Sequence, residues 1–206
     1  MKALLIVDIQ YDFLPGGALE VPQGDVVIPV ANRLQDFFEL VVATQDWHPP
    51  DHASFASNHP GKKAMEEIEL DGIPQILWPD HCVQGSAGAA FSKELQMNKV
   101  EAIFRKGMEP AIDSYSGFFD NGHKKSTGMG DYLKGRNVDT VYVSGLAGDF
   151  CVNYTLNDAL MLGFNAVLVE DGTKPIDPPA YEKAMHKLKE QGLESIRSSE
   201  IDSPIR

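Results

Sequence analysis

The sequence predicts a three-layer, doubly wound α/β domain: a mostly parallel, Rossmann-like sheet with helices on both faces. Three observations predict it. Short apolar runs recur along the chain, their hydrophobicity is continuous rather than alternating, and helical patterns fall between them. Continuous apolar runs mark strands buried on both faces, and strand–helix alternation marks right-handed βαβ units. At 206 residues, with nothing linker-like in its middle, the chain is expected to form a single domain over residues 1–206. A domain of that size buries roughly 70% of the surface its unfolded chain exposes. It needs no disulfide or structural metal, so a metal site here would be functional.

The apolar runs are Ala3 to Val7, Leu40 to Ala43, Ala102 to Phe104, Thr140 to Val143 and Ala166 to Val169, with a weaker sixth at Leu193 to Ile196. Helical patterns cover Val26 to Phe38, Ala87 to Met97, Met129 to Leu133, Cys151 to Leu162 and Ala180 to Gln191. Asp149 stands where the fourth helix would be capped, and Gly163 and Gly192 where the fourth and fifth would stop. Two connections, Asp46 to about Ser86 and Lys106 to about Ser126, are too long to be turns. Both are rich in histidine, aromatic and aspartate residues, which favours a built site over a tether.

Eighteen basic against 30 acidic side chains give a formal charge of −12, which repels phosphate backbones and anionic membrane surfaces. Nucleic acid and membrane are therefore excluded as partners, while a homo-oligomer stays open. Asp8 interrupts the leading apolar run before a signal-peptide core is complete, and no apolar run reaches the length of a membrane span. A cytoplasmic protein with Cys82 and Cys151 as free thiols is expected.

In open parallel sheets ligands bind beyond the carboxyl ends of the strands. Run one ends in Asp8, run two in Thr44-Gln45-Asp46-Trp47-His48, run three in Arg105-Lys106, and run four in a glycine-containing turn, Ser144 to Asp149, that leads to Cys151 at the start of a helix. A thiol at a helix N-terminus is expected to have its pKa lowered, and the same amides can hold an oxyanion. By itself such a cysteine reads as a structural thiol. With Asp8 to move its proton and Lys106 to balance charge, it reads as the nucleophile of an amide hydrolase. Asp46 and His48, joined by a distant His81 and by His52, suit one divalent metal ion with open positions. Phe13, Trp47, Trp78 and Tyr115 supply flat walls for a small planar ligand. Cys82, beside His81, is expected to pack inward, and His59, His123 and His186 to be surface residues.

Five segments in this order carry a family resemblance: Val7-Asp8-Ile9-Gln10-Tyr11-Asp12-Phe13, Gln45-Asp46-Trp47-His48-Pro49, Trp78-Pro79-Asp80-His81-Cys82-Val83, Lys106-Gly107, and Gly145 through Val152. With the stretch Asp113 to Asn121, they make the chain closely resemble the nicotinamidases, a family of isochorismatase-like cysteine hydrolases. The resemblance implies a catalytic triad of Asp8, Lys106 and Cys151, and an oxyanion hole from the amides of Ala147 and Cys151 after a cis peptide. It implies a metal (zinc, iron or manganese) on Asp46, His48 and His81, with His52 near or on it, that binds a pyridine nitrogen. Phe13, Trp78 and Tyr115 would line the ring, and Phe150 would face the pocket. The implied reaction is hydrolysis of nicotinamide to nicotinate and ammonia in NAD salvage, with pyrazinamide also accepted. One departure is Gly148, where relatives often carry a larger residue such as threonine.

Two other readings share parts of this pattern. An amidase for ureido or carbamoyl substrates would share Asp8, Lys106 and Cys151 without needing the metal set. A non-catalytic metal or nicotinamide binder would keep the pocket without turnover.

Overall fold

The computed structural model describes residues 1–203, so the last three residues of the expected 1–206 domain lie outside the described residues. Six strands form one parallel sheet: β1 (Lys2–Val7), β2 (Leu40–Asp46), β5 (Val100–Lys106), β6 (Thr140–Leu146), β7 (Asn165–Lys174) and β8 (Glu194–Ile196). Their order is β5-β2-β1-β6-β7-β8. The chain builds outward from β1 to β5, then returns to β1's other side with β6. The strand order reverses between β1 and β6, the place where an open sheet leaves a crevice.

Strand β1 shows why the sheet is covered twice. Leu4 and Ile6 point into one core with Val27, Ile28, Ala31 and Leu34 of helix α1 (Val27–Leu34). Ala3, Leu5 and Val7 point into the other, against α2 (Met129–Gly135), α3 (Asn153–Met161) and α4 (Pro178–Glu190). All five β1 residues are fully buried, and each large apolar side chain so buried contributes about 1.5–3 kcal/mol. The three-layer, doubly wound α/β class expected from the sequence is the one observed.

Four local expectations are corrected. Ala87 to Met97 is not a helix, because the carbonyls of Gly88, Ala89 and Ala90 bond outward rather than along the segment. Gly88 and Ala90 accept the amides of Asp12 and Tyr11, Ala89 accepts the side chains of Gln10 and Gln45, and Phe91 bridges Gln10. The first helix is shorter than expected, its ends tightening into 3-10 turns. Cys151 lies in a π-helical turn, Gly148–Val152, ahead of α3. Asp149 does not cap that helix; its carboxylate accepts the amides of Ile176 and Asp177, at 3.0 and 2.7 Å. Inside the first long connection, β3 (Glu67–Leu70) and β4 (Ile73–Ile76) form an antiparallel hairpin around Asp71-Gly72, both with positive φ.

Candidate active site

The contiguous strands β5, β2, β1 and β6 bring Lys106, Asp46, Asp8 and Cys151 to one rim of the sheet. Lys106 is the hub: its Nζ lies 2.9 Å from Asp8 Oδ2, 2.9 Å from Asp46 Oδ1 and 3.4 Å from Cys151 Sγ, and donates to the Ser114 carbonyl at 3.0 Å. All of these side chains are buried. Burial alone would push the ammonium's pKa down, but Asp46 and Asp8 overcome it and hold Lys106 well above its ordinary value. Burial would likewise raise Asp46, yet His48 and Lys106 hold that carboxyl well below the usual range. Asp8 differs: burial raises it, Lys106 only partly offsets this, and the nearby Asp46 charge adds to the rise.

The expected lowering of the Cys151 pKa is not what the site produces. Burial pushes the thiol well up, and Lys106 offsets only part of that. A thiol raised in this way would need a neighbouring base before it could act as a nucleophile. The turn holding it follows a cis peptide between Leu146 and Ala147, and the Ala147 carbonyl accepts the amides of Phe150 and Val152 at 3.2 and 3.0 Å. Gly148 now has a reason. A Cβ there would stand 3.0 Å from the ring of Tyr181 on α4, so the aromatic ring fills the space a threonine side chain would need.

Asp46, His48 and His81 offer ligand atoms that lie within 4.8 Å of one another. The two imidazoles are aimed by backbone carbonyls: His48 Nδ1 meets Gly107 O at 2.9 Å and His81 Nδ1 meets Pro79 O at 2.8 Å. That places a proton on Nδ1 and turns each Nε2 inward, the arrangement second-sphere carbonyls give metal-binding histidines. The inward Nε2 atoms lie 3.0 and 3.5 Å from Asp46 Oδ2, and His48 Nε2 is buried without a hydrogen-bond partner. Such a donor set fits a divalent ion. Gly107 (φ +64°) is required there, since a Cβ would stand 2.3 Å from His48 Cε1. His52 belongs to a second group, with His48 and Asp113; its Nδ1 meets Ser54 Oγ at 2.7 Å and its buried Nε2 has no partner.

A narrow cleft opens onto Cys151, lined by Phe13, Trp78, Tyr115, Phe150, Ala147 and His81 among others. Trp78 and Phe150 meet edge to face at 4.9 Å, and Tyr115 packs against Phe150 at 5.5 Å. Trp47 is not part of this wall; it carries the Arg105 guanidinium at 4.0 Å on its ring. Cys82 is fully buried, as expected. His186 and His123 are exposed, the latter beside Asp158, whereas His59 is half-buried and tied to Ala53 O.

Sequence reasoning gave no role to several residues that build the site. Gln10 holds the Asp46 backbone from both sides, donating to its carbonyl and accepting its amide, each at 2.8 Å. Gln75 of the β3–β4 hairpin donates to Asp113 Oδ2 and to Tyr115 Oη, which also accepts from Trp78 Nε1. Asp12 accepts the Cys82 amide at 2.7 Å, fixing the loop that delivers His81. The signal in reach was the Asp71-Gly72 turn between two alternating runs, a hairpin mark.

Comparison with known proteins agrees with this geometry. The isochorismatase domain model matches residues 2–200. The nicotinamidase of Escherichia coli (strain K12) is 48% identical over 180 residues, covering 85% of this chain and 84% of that protein. The solved nicotinamidase/pyrazinamidase of Acinetobacter baumanii superposes with a TM-score of 0.95 at 47% identity, covering 97% of each chain. The pyrazinamidase of Pyrococcus horikoshii, solved in complex with zinc, gives a TM-score of 0.79 at 37% identity over 95% of this chain and 98% of that one. The chain belongs to the isochorismatase family and is an amidohydrolase of its nicotinamidase branch.

Proposed function

We propose that the protein hydrolyses nicotinamide to nicotinate and ammonia through a Cys151 thioester, within a single cytoplasmic domain spanning residues 1–206, as a step of NAD salvage. The observation that carries this is the Lys106 hub, whose Nζ lies 2.9 Å from Asp8 Oδ2 and 3.4 Å from Cys151 Sγ at the floor of an aromatic cleft. Asp8 takes the thiol proton as the sulfur attacks the carboxamide carbon, and the amides of Ala147 and Cys151 hold the oxyanion. As the C–N bond breaks, Asp8 returns that proton to the leaving nitrogen, which departs as ammonia. Water then adds to the thioester, giving a proton to Asp8. As the C–S bond breaks, Asp8 returns its proton to the sulfur to restore the thiol, and the acid leaves as nicotinate, its carboxyl proton passing to solvent. Throughout, Lys106 balances the charge on Asp8 and on the sulfur. Asp46, His48 and His81, with His52 beside them, would hold zinc, iron or manganese. When bound, such an ion supplies a Lewis-acid anchor for the ring nitrogen. Phe13, Trp78, Tyr115 and Phe150 enclose the ring, so pyrazinamide, of the same shape, should enter too.

The test is an ammonia-release panel over nicotinamide, pyrazinamide and a ureido acid, with and without chelator, on wild-type protein and Cys151→Ala. Release from both ring carboxamides, lost with chelator and in the variant, is the expected result. Preferential turnover of the ureido acid, unaffected by chelator, would replace this reading with a carbamoyl amidase. Tight nicotinamide binding without ammonia release would replace it with a binding protein.

A further inference from the structure

We infer that Thr44 is a positioning residue for the proposed base: by binding Asp8 Oδ1 it leaves Asp8 Oδ2 as the oxygen that exchanges a proton with Cys151. The inference rests on the hydrolytic reading above and concerns the same site.

A carboxylate has two chemically equivalent oxygens, and only its surroundings tell them apart. Asp8 Oδ1 accepts the Thr44 hydroxyl at 2.7 Å, and both residues are fully buried. Asp8 Oδ2 lies 2.9 Å from Lys106 Nζ, but it has no aligned hydrogen bond. The same ammonium stands 3.4 Å from Cys151 Sγ, so the uncommitted oxygen is the one that shares the lysine with the thiol. Rotation of the carboxylate would break the Thr44 bond at a fully buried position, where leaving it unmade is costly.

Thr44 is itself held. Val7, beside Asp8, pairs with Thr44 across β1 and β2, which sets the two side chains next to each other. The Thr44 methyl rests on Gly117 so closely that a Cβ there would stand 2.6 Å from Thr44 Cγ2. Gly117 is pinned on both sides of its backbone, donating to Thr155 Oγ1 at 2.9 Å and accepting from Thr127 Oγ1 at 2.6 Å. A β-branched side chain with its methyl seated has one direction left for its hydroxyl, and here that direction is Asp8. Through Gly117 and Thr44, helix α3 and the second long loop thus set the orientation of a base just beyond the end of β1.

Steady-state kinetics with nicotinamide on metal-replete protein test this. Thr44→Val keeps the shape and removes the hydroxyl; kcat should fall at least about tenfold with KM and metal content unchanged. Thr44→Ser keeps the hydroxyl and should stay within about threefold of wild type. Gly117→Ala places a Cβ 2.6 Å from the stiff Thr44 methyl and 2.9 Å from Met129 Cε, the free end of a flexible side chain that can give way; it should lower kcat, but do less harm in the Thr44→Ser background, where the Thr44 methyl is gone. Wild-type kcat in Thr44→Val, equal losses in the Val and Ser variants, or Gly117→Ala losses that multiply in full with Thr44→Ser would each overturn the inference. Wild-type protein that released no ammonia would overturn the hydrolytic reading and this inference with it. Turnover by wild type that Thr44→Val matched would overturn this inference alone.

Discussion

Cys151 and Cys82 are both buried, both lie in connections beyond the sheet strands, and burial pushes both thiols well above their ordinary pKa. Their electrostatic surroundings differ. Beside Cys151 the second-largest influence is Lys106, which opposes burial; beside Cys82 it is the charge of Asp46, with Asp8 and Asp12 adding to the rise. Only Cys151 lines the aromatic cleft. Cys82 sits in the apolar core, its amide on Asp12 and its carbonyl on the His48 amide. Under the proposed reading, the two thiols are told apart by how strongly Lys106 offsets burial and by which of them faces the cleft, not by burial, which they share.

The sharpest way to break the comparison is to delete each sulfur. Cys151→Ala should reduce ammonia release on the order of a thousandfold or more while leaving Tm close to wild type. In the wild-type fold, iodoacetamide followed by peptide mass spectrometry should find label on Cys151 and none on Cys82. Next in size is the cation. Lys106→Met leaves Asp8 and Asp46 buried side by side without their shared partner. Activity should fall about a hundredfold or more, and urea unfolding should register a loss of about 3–5 kcal/mol.

The same cation sets the pH response. Asp8 must be ionised to take the thiol proton, and burial, only partly offset by Lys106, raises its pKa. Activity therefore falls as pH drops through a value above that of an ordinary carboxylate, and the Asp8 base is fully available above it. A kcat/KM profile of the metal-replete protein should place its acid limb there. In Lys106→Met the offsetting charge is gone, so the residual activity should show that limb moved further up. A limb at the ordinary carboxylate position would contradict the Asp8 environment described here.

What was legible beforehand follows from where chemistry sits in this fold. Asp8, Asp46, Lys106 and the turn before Cys151 stand directly after apolar runs, so a reader of the sequence meets each charge at a strand tip. The runs do not reveal that β5, β2, β1 and β6 are neighbours, because strand order is fixed by crossovers rather than by local pattern. The Ala87 to Met97 segment misled for the opposite reason. Its composition suits a helix, yet its carbonyls are taken by Gln10, Tyr11, Asp12 and Gln45, and tertiary bonds decide its shape. Gln10, Thr44, Gln75 and Gly117 act through contacts spanning 36 or more positions of sequence (Thr44 to Asp8, Gln75 to Asp113, Gly117 to Thr155), a separation that spacing rules do not reach. Gly148 looked like a departure until Tyr181, 33 positions on, supplied the ring that explains it.

The smallest expected effect falls on the other cysteine. Cys82→Ala removes one sulfur from a fully buried position and leaves a void too small for water, so urea unfolding should show a loss of about 1 kcal/mol or somewhat more. Its backbone bonds, the amide to Asp12 and the carbonyl to His48, involve no side-chain atom and survive the change. His81 and His48 therefore keep their places, and kcat and metal content should stay near wild type. A large loss of metal in this variant would mean that the sulfur itself, and not the backbone at Cys82, holds the histidines in register, and the contrast between the two thiols would have to be redrawn as a division of labour.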